Sequence, residues 1–474
     1  MLIDELIHQI CEEFGYQPTE AQLRALHTLG CFLADRDQQV VMVMRGSAGT
    51  GKTALAGAVV RTLLRLRQKV VLMAPTGRAA KVFALSCKMA TPPRTFTIHR
   101  RIYRQKSMEG GFNLNYNSLA DALFMVDEAS MISNDAVSPL LDDLIQFVYQ
   151  GRNCRLLLIG DSAQLPPVGE HESPALSRMM LEGYGLKVYE CDVDEVLRQS
   201  QSSGILWNAT TIRNMEQEAV MRMPAIRLKG FADIQTVSGN DLIDMLAASY
   251  GNVGVDETMI ITRSNKRANL FNQGVRNRVL DRDEEINGGD LLMIVKNKYL
   301  KAKEGMKASN AGDSLDFLAN GDRAVVRRIR NVRALYGFRF ADATLRFPDY
   351  DDQELTTTIL LDTLQAEAPA LTDSQQRQLF EAVMEDYADI PRKSDRLQQL
   401  KEDIYYNALQ VKFGYAVTCH KAQGGQWSHV YIDQGYMTAE MLTPEYYHWL
   451  YTAFTRATER LFLVNWKVEE GGQD

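Results

Sequence analysis

Short apolar runs alternate with helical stretches in the first half of the chain. The run Val40 to Met44 stops at Arg45-Gly46, which is typical of a buried parallel strand. Lys52 to Lys69 lacks proline and carries Leu and Val at helical spacing, so it predicts a helix before a second strand, Val70 to Ala74. Two further strands are predicted, each followed within two residues by an aspartate: Leu123 to Val126 and Leu156 to Ile159. This alternation predicts a parallel sheet with helices on both faces, whose ligands bind beyond the carboxyl ends of the strands.

The same pattern returns later and predicts a second sheet, with strands at Met259 to Thr262, Val430 to Asp433 and Leu461 to Val464. The stretch from about 300 to 410 has a different character and is too long for a simple loop. It contains strand-like pieces at Arg323 to Arg330 and Ala341 to Arg346, and then a charged, Gln-rich helical region from Thr372 to Ala408. We therefore predict a domain inserted in the second lobe. A smaller insertion, Arg104 to Asn117, carries Glu109-Gly110-Gly111 at its centre and predicts a hairpin in the first lobe.

Composition fits a folded, multidomain protein. The 474 residues are too many for one simple core. The six cysteines are scattered without a Cys-x-x-Cys pair, which predicts reduced thiols rather than disulfides or a zinc site. No apolar run could span a membrane and the start does not resemble a signal peptide, so we expect a cytoplasmic protein without a membrane partner. The net charge of −7 argues mildly against a nucleic-acid binder, but it does not describe a local groove.

A phosphate-binding pattern lies between the first predicted strand and helix. The segment matches G-x-x-x-x-G-K-[ST] with these eight residues: Gly46, Ser47, Ala48, Gly49, Thr50, Gly51, Lys52 and Thr53. Glycines let backbone N–H groups turn toward the phosphates, and the helix N-terminus adds positive potential. We predict that Lys52 reaches the outer phosphates of ATP and that Thr53 ligates Mg²⁺. A glycine-rich turn without a ligand is the plainer alternative, and the strand–helix context argues against it.

Acidic, amide and guanidinium groups elsewhere complete the predicted chemistry. Asp127 and Glu128 follow a buried strand, and we assign Asp127 to the metal and Glu128 to the attacking water. Gln164 lies in the segment Gly160 to Gly169 after the fourth strand, where an amide could sense the terminal phosphate. Arg198 and Arg456 are predicted to stabilise the transition state, since a guanidinium matches phosphate oxygens. Taken alone, each arginine is more typical of a surface salt bridge.

These motifs, in this order, resemble those of superfamily 1 helicases of the 1B branch, of the RecD and phage Dda type. The resemblance covers nearly the whole chain and rests on these segments: Gln22 within Pro18 to Gln22, Gly46 to Thr53, Ala74 to Ala80, Thr97 to His99, Asp127 to Met131, Gly160 to Gly169, Arg198-Gln199 with Ser203 and Ile205, Thr418 to Gly424, and Tyr451 to Ala457. It implies that Gln22 reads the adenine. It also implies two RecA-like, parallel-sheet P-loop lobes in an α/β fold.

The resemblance also implies a strand-gripping surface and a strand-separating wedge. The residues it assigns to nucleic acid are Pro75, Thr76, Thr97, His99, Thr418, His420 and Lys421. For each, a turn or a satisfied core residue is the ordinary alternative. The hairpin resembles the wedge of this branch, with Phe112 placed to stack on the first base pair, although an aromatic residue in a hairpin more often packs on its neighbouring strand. Phe317 to Asp322 fits the turn of the SH3-like barrel of this branch, and the helical region 372–408 departs from its simplest form.

From these observations we predict lobe 1 at 1–188 with a hairpin at about 100–118, lobe 2 at 189–299 and 411–474, and an SH3-like and helical insertion at 300–410. The expected function is an ATP- and Mg²⁺-dependent DNA helicase. It would move along single-stranded DNA, by resemblance 5′-to-3′, and open single-strand/double-strand junctions as a monomeric motor with repair or recombination proteins as partners. Three alternatives stay open: a RecD-like subunit that works only in a complex, an RNA-directed superfamily 1 helicase, and a P-loop ATPase indifferent to nucleic acid.

Overall fold

The computed structural model describes residues 2–105, 112–135, 139–195, 202–300 and 317–466. The strands are, in chain order, β1 (Val40–Gly46), β2 (Lys69–Ala74), β3 (Thr95–Thr97), β4 (Tyr103–Gln105), β5 (Phe112–Leu114), β6 (Ala122–Val126), β7 (Arg155–Gly160), β8 (Lys187–Val193), β9 (Ile234–Val237), β10 (Thr258–Thr262), β11 (Leu291–Ile294), β12 (Lys298–Tyr299), β13 (Phe317–Leu318), β14 (Arg323–Leu335), β15 (Phe338–Phe347), β16 (Gln353–Leu360), β17 (Leu409–Phe413), β18 (Ala416–Thr418), β19 (Trp427–Asp433) and β20 (Ala457–Val464).

The α-helices are α1 (Leu2–Phe14), α2 (Glu20–Ala34), α3 (Lys52–Arg65), α4 (Gly77–Ser86), α5 (Ile98–Ile102), α6 (Leu140–Gln150), α7 (Arg178–Gly183), α8 (Gly204–Gln217), α9 (Leu242–Asn252), α10 (Asn265–Gly274), α11 (Asp373–Asp386), α12 (Lys393–Glu402), α13 (Cys419–Ala422) and α14 (Pro444–Phe454). The predicted helix Lys52 to Lys69 ends early, at Arg65, because Arg67 takes a left-handed φ of 58° and β2 begins at Lys69.

The chain divides into two compact units. The first comprises Met1–Arg104, Leu114–Ser238 and Ala422–Asp474, and the second comprises Gln105–Asn113 and Gly239–Lys421. The first unit is built on a six-stranded sheet in the order β3-β2-β6-β7-β1-β8, and every pairing in it is parallel. Strands β1 and β6 are apolar throughout their buried lengths, as expected for strands covered on both faces. Their carboxyl ends carry the phosphate loop and the Asp127-Glu128 pair.

The first unit also contains three parallel strands, β9, β20 and β19, from the second lobe. Helix α8 begins beside them, where Ser203 accepts a hydrogen bond from the backbone of Leu206. Asp233 accepts hydrogen bonds from Ser203 Oγ at 2.6 Å and from Gly204 N at 2.9 Å, so the start of α8 is fixed on both sides. Helix α14 is almost wholly buried and leads into β20.

The second unit carries the parallel pair β10 and β18 and a closed barrel of β11, β14, β15, β16 and β17. Helices α11 and α12 pack on the barrel through one apolar cluster: Phe338, Phe340, Leu360, Leu371, Leu379, Val383 and Leu400. Two barrel strands reach outside the predicted insertion at 300–410: β11 lies before residue 300, and β17 extends past residue 410. The boundaries of the insertion remain predictions. Strands β4 and β5 pair as a separate two-stranded sheet. The predicted fold class, two RecA-like α/β lobes with a hairpin and a barrel-plus-helix insertion, is confirmed.

Candidate nucleotide and nucleic-acid site

The phosphate loop joins the end of β1 to the start of α3. Gly49 and Gly51 both have a φ of 79°, a left-handed conformation that side-chain-bearing residues rarely adopt. A Cβ at Gly46 would lie 2.4 Å from the carbonyl oxygen of Val193, so only glycine fits there. The Lys52 ammonium donates to the carbonyl oxygens of Gly46 and Ser47 within the loop. The loop borders a cavity of about 380 Å³, which Asp127, Glu128, Gln164, Leu206 and Arg456 also line.

Gln22 lies behind this loop and is fully buried. Its Nε2 donates to the carbonyl oxygen of Thr50 at 2.9 Å, and its Oε1 accepts from the backbone N–H of Thr19 at 3.0 Å. Thr19 in turn caps α2, so the same glutamine completes the helix cap and supports the phosphate loop. Gln22 therefore has a positioning role in this structure. Its predicted reading of adenine stays a prediction.

The carboxylates stand where β6 ends. Asp127 Oδ2 lies 3.4 Å from Thr53 Oγ1, which brings together two hard oxygen ligands of the kind that Mg²⁺ prefers. Burial, with the neighbouring charge of Glu128 adding to it, raises the pKa of Asp127 well above its usual range, so a cation at this position would relieve an unfavourable buried charge. Asp127 and Thr53 thus fit a magnesium ion. Glu128, next to Asp127, has a left-handed φ of 54°, and the chain turns away from the direction of β6 at this residue.

A buried polar interface joins helix α14 to the loop that follows β7. The hydroxyl of Tyr451 accepts from the N–H of Ala48 at 2.8 Å and donates to Asp161 Oδ2 at 2.6 Å. Thr452 Oγ1 accepts from the N–H of Leu165 at 2.8 Å. Helix α14 is therefore bonded to the phosphate loop and to the 160–169 segment at once.

Two further side chains extend the same interface. Gln423 Nε2 donates to the carbonyl oxygen of Leu165 at 2.7 Å. The ring of His448 places Nδ1 2.8 Å from the carbonyl oxygen of Ala163, which requires a proton on Nδ1. The 161–165 loop thus contacts Gln423 and helix α14 through both side chains and backbone.

Two predicted site residues lie within this interface: Gln164, the predicted phosphate sensor, and Arg456, the predicted catalytic arginine. Gln164 is 7 % exposed, and among the described residues its Oε1 has no hydrogen-bond partner. Arg456 is 1 % exposed and is held by Thr452 O, Gly425 O and Thr455 Oγ1 at 3.0 to 3.2 Å. Its Nη1 lies 3.9 Å from Glu128 Oε1, so the structure brings these two predicted site residues together. Arg198 lies outside the described residues.

Sequence reasoning assigned no role to the Tyr451 hydroxyl, nor to Thr452, Gln423 or His448. Their partners lie more than 250 positions away along the chain, so no local spacing could identify them. The available signal was the density of aromatic and polar residues on a helix that ends in a predicted catalytic arginine.

The strand-gripping candidates of the first unit lie around α4 and α5. Thr76 caps α4 by accepting from Ala79 N at 3.2 Å, directly after the half-buried Pro75. Thr97 caps α5 and is 3 % exposed, so its hydroxyl is engaged in the fold. His99 is half-buried beside Tyr103, and burial lowers the pKa of His99 to about 4. His99 is therefore neutral near pH 7 and brings no positive charge to a phosphate.

The candidates of the second unit follow one another at the end of β18. Thr418 is half-buried and His420 is exposed. Lys421 Nζ is buried and has no hydrogen-bond partner among the described residues, and burial, with Lys412 adding to it, lowers the pKa of Lys421 to about 8. A buried, unpaired ammonium is suited to receiving an anion. The side chain of Phe112 lies outside the described residues, so its stacking role stays a prediction.

Within the described residues no cluster of three or more His, Cys, Asp or Glu side chains could hold a metal ion. All six cysteines carry free thiols. No helix in the described ranges has the length and apolar character needed to cross a bilayer.

Comparison with known proteins agrees with this geometry. The family model for an AAA domain matches residues 33–170, and that for a UvrD-like helicase C-terminal domain matches residues 413–464. The chain is similar to the uncharacterized protein R530 of Acanthamoeba polyphaga mimivirus, with 22% identity over 89% of this chain and 94% of the relative. It is similar to the ATP-dependent DNA helicase dda of Enterobacteria phage T4, with 22% identity over 71% of this chain and 75% of the relative.

The ATP-dependent RecD2 DNA helicase of Deinococcus radiodurans is 34% identical over a shorter stretch, 27% of this chain and 16% of that protein. The two family models cover the segments that carry the phosphate loop and the 418–457 motifs. With the motif order and the two-lobed fold, these matches support the resemblance of the chain to superfamily 1B helicases of the RecD and Dda type.

Proposed function

We propose that this protein is an ATP-dependent DNA helicase that couples hydrolysis at the phosphate loop to movement along single-stranded DNA. The observation that carries the proposal is the polar interface in which Tyr451 and Thr452 of α14 bond to Ala48 and Leu165. A simple P-loop ATPase needs no such link between its phosphate loop and a second lobe. A motor needs one, because a change at the nucleotide must move a distant element.

Bound ATP with Mg²⁺ would supply the terminal phosphoryl group and the cation that offsets its charge. Thr53 and Asp127 would hold the magnesium, since their oxygens already lie 3.4 Å apart. Lys52 exchanges its bonds to the Gly46 and Ser47 carbonyls for phosphate oxygens. Glu128 orients the attacking water, and Arg456 stabilises the charge that develops on the transferred group.

Gln164 and Tyr451 connect this chemistry to movement. Gln164 lines the cavity and its Oε1 has no partner among the described residues, so its amide is free to respond to the terminal phosphate. Tyr451 is a residue of α14, so its hydrogen bond to Ala48 couples a displacement of the phosphate loop to this helix. Arg456 lies two residues after α14 and would therefore move together with the helix.

The finer parts of the proposal rest on the resemblance and on the residues that fit it. Movement is 5′-to-3′, the substrates are single-stranded DNA and single-strand/double-strand junctions, and the protein works as a monomer in the cytoplasm. The pathway served is repair or recombination, with proteins of those pathways as partners. Lys421, with its buried ammonium, is the strand-gripping candidate that the structure supports best.

The direct test measures ATP hydrolysis with no nucleic acid, with single-stranded DNA and with single-stranded RNA, in the presence and absence of Mg²⁺. We expect strong stimulation by DNA, weak stimulation by RNA and no turnover without Mg²⁺. Duplexes with a 5′ or a 3′ tail then test direction. An ATPase rate indifferent to every nucleic acid would refute the motor, and unwinding of the 3′-tailed duplex alone would refute the direction.

A further inference from the structure

The charge of the first unit is unevenly distributed along the chain. Between Gly77 and Gln105 there are seven cationic side chains and no carboxylate, in a protein whose net charge is −7: Arg78, Lys81, Lys88, Arg94, Arg100, Arg101 and Arg104. A segment of this length without an acidic residue produces a local positive potential despite the acidic average.

Five residues of this segment lie on or beside β3, the edge strand of the six-stranded sheet, or on α5 and β4 directly after it, and we call this set the basic edge: Arg94, Phe96, Arg100, Arg101 and Arg104. Phe96 lies on β3, the edge strand. The guanidinium of Arg94 lies 4.7 Å from the centre of the Phe96 ring and that of Arg101 lies 5.4 Å from it. Two cations that share one ring are held close to each other.

The positively charged side chains of Arg94 and Arg101 lie close together in the basic edge. Burial, with the neighbouring Arg94 adding to it, lowers the pKa of Arg101. The Nε of Arg101 is buried and has no hydrogen-bond partner among the described residues. Arg94 and Arg104 are exposed to solvent, and Arg100 is half-buried. Repulsion between Arg94 and Arg101 disfavours the charged form of Arg101, and a bound anion would offset it.

The neighbouring motif residues do not provide this charge. Thr97 is buried and its hydroxyl caps α5, and His99 is neutral near pH 7. The positive potential of this surface therefore comes from the arginines, which the family motifs do not include. A planar guanidinium pairs with phosphate through two hydrogen bonds, and it carries no information about base sequence.

We propose that the basic edge binds the phosphate backbone of the double-stranded arm of a DNA junction. The inference rests on the proposed helicase function. The chain runs from α5, which ends at Ile102, directly into β4 of the hairpin that we expect to part the strands. Cationic side chains at the base of such a hairpin would contact the duplex ahead of the point of strand separation. They would bind its backbone phosphates electrostatically, independently of base sequence.

The test compares the salt dependence of binding to a forked duplex with that to the isolated single-stranded tail, by fluorescence anisotropy. The variant is Arg94→Gln/Arg104→Gln, which removes two exposed cations. The matched control is Arg24→Gln/Lys229→Gln, which removes two exposed cations elsewhere in the first unit. Each lost phosphate contact lowers the slope of log Kobs against log salt by about 0.9 on duplex DNA.

We expect the Arg94→Gln/Arg104→Gln slope to fall by about 1.8 on the fork and by clearly less on the single strand. Arg94→Lys/Arg104→Lys should restore most of the fork slope, and the control should keep it. An unchanged fork slope, or an equal loss on the single strand, would overturn the proposal. Stimulation of the wild-type ATPase by single-stranded DNA is measured in parallel, and its absence would count against the helicase function rather than against the basic edge alone.

Discussion

The hydroxyl of Tyr451 accepts a hydrogen bond from the backbone N–H of Ala48, at 2.8 Å, across 403 positions of sequence. The same hydroxyl donates to Asp161, and burial, with the charge of Asp161 adding to it, raises the pKa of Tyr451 well above its usual range. The hydroxyl therefore stays protonated and holds both partners. It links the phosphate loop, the segment after β7 and the helix that leads to Arg456.

Tyr451→Phe should weaken this link while keeping the packed ring. The variant leaves the Ala48 N–H and an Asp161 oxygen without their partner, at a cost of about 1 to 3 kcal/mol. We expect DNA-stimulated kcat to fall about tenfold or more, measured by steady-state ATPase kinetics. Tyr149→Phe is the matched control, since Tyr149 bonds Val40 O at the other end of β1. Equal losses of kcat in both variants would show that the hydroxyl of Tyr451 contributes stability alone.

Gln164→Ala should separate nucleotide binding from turnover. The side chain is buried in the cavity, and its Oε1 has no partner in the described part of the chain. Removing the Gln164 side chain therefore leaves no donor without the oxygen that it bonded. We expect KM for ATP to change little and kcat to fall by about 10- to 100-fold, as for other lost transition-state contacts. Gln9→Ala, at a surface residue that bonds Glu5, serves as the control. A rise in KM with kcat intact would contradict the assigned role.

The affinity for single-stranded DNA should depend on pH through Lys421. Because burial lowers the pKa of Lys421 to about 8, its ammonium is charged below that pH and becomes neutral above it. Phosphate binds the charged form, so affinity should be full near pH 7 and decline as pH rises through about 8 to 9.5.

Lys421→Arg keeps the charge throughout this range and should give a shallower decline in binding isotherms measured at each pH. Burial also lowers the pKa of Lys412 to about 8, so Lys412 still loses its charge over this pH range in the Lys421→Arg variant. This titration accounts for the part of the pH-dependent decline in affinity that remains. Identical pH profiles for the wild type and Lys421→Arg would remove Lys421 from the strand-gripping surface.

Much of the fold follows from local pattern. Strands β1, β6 and β7 are short apolar runs that can only be buried, so their positions were predictable within two residues. The phosphate loop was predictable because its chemistry is contained in eight consecutive residues. The boundaries of β14 and β15 were not, since these strands continue beyond their apolar cores to Leu335 and back to Phe338, where barrel pairing rather than composition sets their ends.

The parts of the site that depend on tertiary contacts could not be predicted in this way. The adenine role of Gln22 stays a prediction, and the bonds of its amide to Thr50 and Thr19 depend on the packing of α2, which the sequence does not show. His99 was expected to grip phosphate, and its neutrality results from burial that sequence does not show. The roles assigned to the site residues remain predictions for the experiments above.

The most direct test is ATP-dependent unwinding of a 5′-tailed DNA duplex, followed as release of a labelled strand, by the wild type and by Lys52→Ala. Removing the ammonium that bonds Gly46 and Ser47 should abolish turnover and leave binding to single-stranded DNA largely intact. We predict strand release by the wild type with ATP and none by Lys52→Ala. Equal strand release by both proteins, or none by the wild type under conditions in which it binds the tail and hydrolyses ATP, would contradict the account.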